Sequence, residues 1–338
     1  MYFVAESLDQ LQFSVLEATL RSPTRVQNAK KGSNRELTGV LLELTNPRKR
    51  LSRTRSRGVL FSCLGELLWY LSGSDDVESI AYYLPQYRAM SDDGVSVHGS
   101  YGPRLFDMRG IDQFSNVVNR LKNHPDSRQV VLQLFDAADV DAIYRDVPCT
   151  CALQFLLRHD QLHMMVFMRS NDVIRGLPHD IFAFTMLQEL VASSVGVRMG
   201  FYKHAVGSLH LYDRDVQRAR ETLKERWLKR TEVEMPAMPR EDPWPSVQRI
   251  LEAEVLIRGG VEVDVADIRV GPYWGELIRL LLAYSSFRQS DQAGLRKIRK
   301  QLLFPDVFGF YIDRKIEVLR EHASEDGMRP LDPETLGR

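Results

Sequence analysis

Apolar residues recur at three- and four-residue steps in some stretches of this chain and alternate with polar ones in others. The first spacing predicts an amphipathic helix over 5–20 and a mostly apolar one in "LFSCLGELLWYLSG" (60–73), stopped by Gly73. Alternation and β-branched content predict strands in "LTGVLLELTNP" (37–47), "QVVLQLFD" (129–136) and "FYKHAVGSLHLYDRD" (201–215). "CTCALQFLLRHDQLHMMVFMRS" (149–170) reads as a hairpin turning at "RHDQ". A buried helix is expected over 180–196, ended by Gly196. Beyond it the pattern is helical: 214–228, 245–258, 274–287, 292–303 and about 307–322, with the Pro-rich linker "MPAMPREDPWP" (235–245) after the first. Strands and helices follow no strict βαβ alternation, which points to α+β architecture.

At 338 residues the chain is long enough for one large domain or two modest ones. Lys+Arg and Asp+Glu both total 45, so the net charge is zero and a nucleic-acid binder relying on a global positive field is excluded. Only "RKRLSRTRSRG" (48–58) is strongly basic, and its plain reading is a solvated loop. Cys63, Cys149 and Cys151 form no CxxC pair, so neither a zinc site nor a disulfide framework is expected, and a reduced, cytoplasmic setting fits. The N-terminus lacks the basic region of a signal peptide, and no apolar run approaches the roughly 18 residues of a membrane span.

Three places carry candidate chemistry. Glu66 interrupts an apolar helix, where an acid is either partly exposed or paired. Cys149 follows Pro148 at a strand start; it is a small core residue or, with cations beside it, a nucleophile. The stretch "RSNDVIRGLPHD" (169–180) ends in Asp180, which could simply cap the following helix, although Ala183 leaves no capping box.

Taken together, "GELLWYLSG", "DSRQVVL", "DVPCTCALQF", "MRSNDVIRGLPHDIFAF" and "GSLHLY" resemble the thymidylate synthase family in order and spacing over about residues 5–215. The resemblance implies one thymidylate-synthase-like domain over 1–338: a large twisted sheet flanked by helices, a divergent helical part at about 216–323 and a mobile tail at 324–338. It implies Cys149 as nucleophile, with Glu66 organising water and proton transfer near the base and Tyr101 helping remove the C5 proton. Arg169, Ser170 and, on a looser match, Arg35 would bind the nucleotide phosphate, joined by Arg128 lent from the partner of a homodimer. Asp180 and Gln154 would meet the base, His210 and Tyr212 the sugar, and Asp172 and Gly176 would border the folate and base. The implied co-substrate is 5,10-methylenetetrahydrofolate, the implied substrate a pyrimidine nucleoside monophosphate, and no metal is involved.

In such chemistry a thiolate adds to C6 and makes C5 nucleophilic towards the one-carbon unit; hydride then gives a methyl group, or water a hydroxymethyl group. Arginines hold the phosphate and favour the thiolate. Three departures from the family pattern bear on the outcome. Asp180 stands where uracil-specific members resemble one another in having Asn, and a protonated carboxyl matches the donor–acceptor edge of cytosine. Arg175 and His179 replace an apolar folate wall, and the apolar closing segment is not recognisable in "DPETLGR", which admits water. Gln129 replaces a second phosphate arginine, at a cost of roughly 1.5–3 kcal/mol; Thr150 replaces a histidine. These features point to cytidylate 5-hydroxymethylation, with thymidylate synthesis or another uridylate modification as the alternative and a non-catalytic nucleotide binder as a third reading.

Overall fold

The computed structural model describes residues 1–22, 24–26, 32–54, 59–227 and 232–325. Its strands are β1 (Tyr2–Ala5), β2 (Arg25–Val26), β3 (Asn34–Leu44), β4 (Val131–Gln133), β5 (Thr150–Arg158), β6 (Gln161–Asp172) and β7 (Arg198–Tyr212). They form one mixed sheet in the order β1-β3-β7-β6-β5-β4, with β2 alongside β3. The β5–β6 hairpin turns at His159 and Asp160, both left-handed (φ 49° and 58°), which suits the right-handed twist of its strands. β1 has no signal in the sequence because its four residues pair as a parallel edge on β3.

The helices are α1 (Leu8–Arg21), α2 (Leu60–Leu71), α3 (Val77–Ala81), α4 (Tyr101–Phe106), α5 (Gln113–Asn123), α6 (Leu177–Val195), α7 (Val216–Lys224), α8 (Trp244–Arg258), α9 (Pro272–Arg288), α10 (Gln292–Gln301) and α11 (Pro305–Glu325). α6 is apolar almost all round because it lies between the sheet and the outer helices, its residues from Leu177 to Ser193 buried except Asp180. It starts three residues before the pattern predicts: Pro178 fits a first helical turn, where its missing N–H costs nothing. The helix cap is therefore Gly176, and Asp180 is inside the first turn rather than a cap.

One expectation needs correction. The basic stretch is no solvated loop over its described part. Lys49 pairs with Glu6 (2.6 Å) and Glu232 (3.4 Å), Arg48 with Glu234, and Arg50 is fully buried against Glu189. Residues 55–58 lie outside the described residues, as does 326–338 of the tail. The Pro-rich linker is likewise docked: Met235 and Met238 are buried, and Ser193 of α6 donates to the Glu241 carbonyl at 2.9 Å.

α8–α11 form a layer over α2. Tyr284 of α9 stacks on Phe61 of α2 (5.7 Å) and on Tyr83 (5.2 Å), and Tyr311 of α11 donates to the Ser52 carbonyl at 2.8 Å. The sheet's other face stays open. Cross-strand rows bring Val131, Met165 and Val4, and next to them Phe167 and Tyr2, to that face, where Tyr2, Val4 and Val131 are each about half exposed.

Candidate active site

Cys149 enters β5 beside Arg169 of β6. The Arg169 N–H donates to the Cys149 carbonyl at 2.9 Å, and its guanidinium lies 3.7 Å from Cys149 Sγ while donating to the Val147 and Pro148 carbonyls, both at 2.9 Å. A fixed guanidinium at that distance favours thiolate over thiol. The ladder then passes from Thr150–Met168 to Ala152–Phe167, so Cys151 sits in a bulge. Thr150 is buried and accepts from Tyr101 Oη at 2.9 Å, while its N–H donates back to Oη at 3.2 Å. This contact gives position 150 a use: it anchors Tyr101 one residue from the thiol.

Two carboxyl groups share the interior beside them. Glu66 on α2 accepts from Tyr87 Oη at 2.6 Å and also bonds Tyr70. Burial pushes its pKa up to about 7, against the pull of the two tyrosines and with a further push from Asp146. Asp180 keeps part of its surface open to solvent, yet protein encloses its carboxyl and desolvation raises its pKa well above the usual range. The charge of Glu66 adds to the rise, a bond from Asn171 opposes it, and Asp172 adds again. Tyr101 feels both Asp180 and Cys149, and Tyr212 feels Asp172 and Cys149, so these groups cluster around the thiol. Only glycine fits at 176 without crowding this cluster: a Cβ there would lie 2.7 Å from Asn171 Oδ1 and 3.3 Å from Asp180 Oδ2.

The remaining expected residues divide. Asp172 pairs in register with His210, whose ring meets Tyr212 edge-on at 4.9 Å. Asp172 Oδ1 accepts from the Ile174 and Arg175 N–H groups (2.7 and 2.8 Å), which turns the chain into α6. Ser170 follows Arg169 and pairs with Ser208. Arg35 is drawn elsewhere: it donates to the Leu20 carbonyl at 2.6 Å and lies 4.0 Å from Asp213. Gln154 alternates with buried Leu153 and Phe155 and so falls on the open sheet face, where its amide donates to the Arg128 carbonyl at 3.2 Å. Arg128 and Gln129 are exposed just before β4.

Arg175 and His179, the departures at the folate wall, have protein partners. Arg175 forks onto Asp215 (3.1 and 2.9 Å), and His179 lies 3.0 Å from both Ser62 Oγ and the Arg175 carbonyl. Sequence reasoning missed Tyr70, Tyr87 and Asp146 around Glu66, and Asn171 and His204 around Asp180. Tyr70, Asp146 and Asn171 stood inside quoted motifs without a role assigned to them; Tyr87 and His204 come from stretches with no chemical pattern of their own. Among the described residues no group of three or more His, Cys, Asp or Glu side chains could hold a metal ion.

The chain matches the thymidylate synthase family over residues 25–249, which extends past the motifs into α7 and the start of α8. It is similar to the deoxyuridylate hydroxymethyltransferase of Pseudomonas phage M6 (38% identical over 156 residues; 45% of this chain, 44% of the relative). Similar proteins of the same description occur in Delftia phage PhiW-14 (30%; 55% of each chain) and Bacillus phage SP01 (33%; 53% and 50%). The chain thus spans about half the length of the curated relatives it matches. With the family match covering most of the sheet and the residues around Cys149, Glu66 and Asp180, the chain belongs to the thymidylate synthase family.

Proposed function

We propose that this protein hydroxymethylates C5 of a pyrimidine nucleoside monophosphate through a transient bond between Cys149 Sγ and C6. The observation that carries the reading is the Cys149–Arg169 contact at 3.7 Å, set beside two enclosed carboxyl groups. Arg169 favours the attacking thiolate and, with Ser170, offers donors to a phosphate. Tyr101, held by Thr150, stands beside the thiol to help take the C5 proton. Glu66, with an affinity for protons near neutrality, can hold a proton at the base or release it to water. His210 and Tyr212 lie towards the sugar.

Methylenetetrahydrofolate supplies the one-carbon unit when bound. Asp172 fits that partner, because Oδ2 takes no hydrogen bond from the described residues while Oδ1 is occupied. Arg175 and His179 make this wall polar, which supports water as the final nucleophile: C5–H, the one-carbon unit and water give C5–CH2OH and tetrahydrofolate.

Uracil is the first candidate base, and the names of the three phage relatives support it. Asp180 permits it. A neutral carboxyl offers one donor and one acceptor, and it can present them to uracil (accepting from N3–H, donating to O4) or in reverse to cytosine. Cytosine is the second reading, favoured by an acid where an amide would serve uracil without a proton. The open sheet face supports a homodimer, with each Arg128 reaching the partner's phosphate site.

The test incubates the protein with dUMP, dCMP, UMP or CMP, each tritiated at C5, and methylenetetrahydrofolate. Tritium release from dUMP with a gain of one CH2O unit is expected. Release only from cytosine nucleotides selects the second reading; a methyl product overturns hydroxymethylation, and release from none overturns the catalytic reading.

A further inference from the structure

α2 and α6 meet along a seam that carries two polar pairs, and the proposed reaction uses only one of them. Glu66 and Asp180 form the first, close enough for the charge of one to act on the other. Ser62 precedes Glu66 by four residues, so the two side chains leave one face of α2 with their Cβ atoms about 5–6 Å apart. His179 precedes Asp180 on α6. Its Nε2 lies 3.0 Å from Ser62 Oγ and its Nδ1 3.0 Å from the Arg175 carbonyl. His179 is 8% exposed, whereas Ser62 is only half-buried, so water reaches the hydroxyl more readily than the ring.

A carbonyl oxygen only accepts, so Nδ1 carries a proton in both charge states of the ring. The α6 ladder leaves that carbonyl to the ring, because its first bond runs from the Asp180 N–H to the Gly176 carbonyl. Nε2 is then the atom that gains or loses a proton. In the neutral ring it accepts from the Ser62 hydroxyl. In the charged ring it donates to Ser62 Oγ, and the hydroxyl turns to the Val59 carbonyl, also 3.0 Å away. That carbonyl accepts the Cys63 N–H as well and has two lone pairs, so neither arrangement leaves a group unsatisfied. A proton can enter through Ser62 and rest on His179 with no heavy atom moved.

We infer that Ser62 and His179 form the relay that takes the proton from the water which attacks the one-carbon unit. The inference rests on the proposed hydroxymethylation and deepens it. After release of tetrahydrofolate, C5 carries an exocyclic methylene and C6 the Cys149 sulfur. The water oxygen bonds to the methylene carbon while its proton passes to Ser62 Oγ and the Ser62 proton to His179 Nε2. The electron pair of the exocyclic double bond moves to C5 and then expels the thiolate from C6, restoring the C5–C6 double bond. His179 returns its proton to solvent afterwards. Because His179 acts through Ser62, it is a positioning residue for the water step alone.

Single-turnover reactions of the full chain test it, with methylenetetrahydrofolate and whichever of C5-tritiated dUMP and dCMP the wild type turns over. Tritium release, which precedes the water step, and hydroxymethyl product are read separately. His179→Gln and Ser62→Ala are the variants, the second removing a single half-buried oxygen. In both, tritium release stays within about twofold of wild type while the hydroxymethyl product forms about 100-fold more slowly, the lower end of what a positioned proton acceptor contributes. Parallel loss of both signals marks a role in folding or binding and overturns the inference, as does retention of both. Wild-type protein that releases no tritium from either nucleotide, or yields a methyl product, overturns the proposed function and the relay with it.

Discussion

On α2, Glu66 lies between Tyr70 and Tyr87, and its proton affinity is set by those surroundings more than by its residue type. The folded pKa, about 7, exceeds the ordinary 4.5, so between those values the folded chain binds more protons than the unfolded one. Stability from this group is therefore full below about pH 4.5 and is lost as pH rises through 7, a change on the order of 3 kcal/mol. Denaturant unfolding from pH 4.5 to 8 should show that slope in the wild type and a flatter profile in Glu66→Gln. The two neighbouring cysteines make a sharper contrast. Cys149→Ala should abolish tritium release, whereas Cys151→Ala should retain it, since Cys151 stands in the bulge and Cys149 meets Arg169; the reverse result would shift the nucleophile by two residues. Cys149, Arg169, Glu66 and Tyr101 could be named from the sequence because the family resemblance implies them. Asn171 and His204 could not, because the contact that joins them crosses from β6 to β7 and no local spacing encodes it.

Among the elements, α2 and α6 carry the two enclosed carboxyls, and each is held from behind. The helical periodicity of α8–α11 was readable, but not what they cover. Tyr284 stacks on Phe61 and Tyr83, so α9 packs against α2, the helix that carries Glu66. Truncation of a buried aromatic ring of this size costs about 3–5 kcal/mol. Tyr284→Ala should therefore lower the unfolding free energy from denaturant titrations by that amount. Unchanged stability would mean that the C-terminal layer is not coupled to α2. The start of α6 shows a local limit of pattern reading: Pro178 looks like a break, yet in the first turn it is compatible with the helix and moves the boundary back to Leu177.

For the whole molecule, the open sheet face leaves half-exposed Tyr2, Val4 and Val131 in line with Phe167. A second copy covering it would make each cavity depend on two chains. Sedimentation velocity should show a dimer in the wild type and a monomer in Phe167→Glu, with activity falling in parallel. Mixing Cys149→Ala and Arg128→Ala protomers should restore part of the activity, since one site in the mixed dimer then has both residues intact; no recovery would place Arg128 outside the partner's site.

By itself, the sequence determined the α+β class, the β5–β6 hairpin and the buried central helix. Those features depend on short-range periodicity and on residue chemistry, both of which are local. Only the tertiary structure decided that Arg48, Lys49 and Arg50 are held by acids from distant segments, that Gln154 falls on the open sheet face, and that Asp180 lies inside a helix with its carboxyl enclosed. Each of these depends on what packs against a side chain from far along the chain. Desolvation and hydrogen-bond partners, which set the charge on Glu66 and Asp180, exist only once the chain has folded.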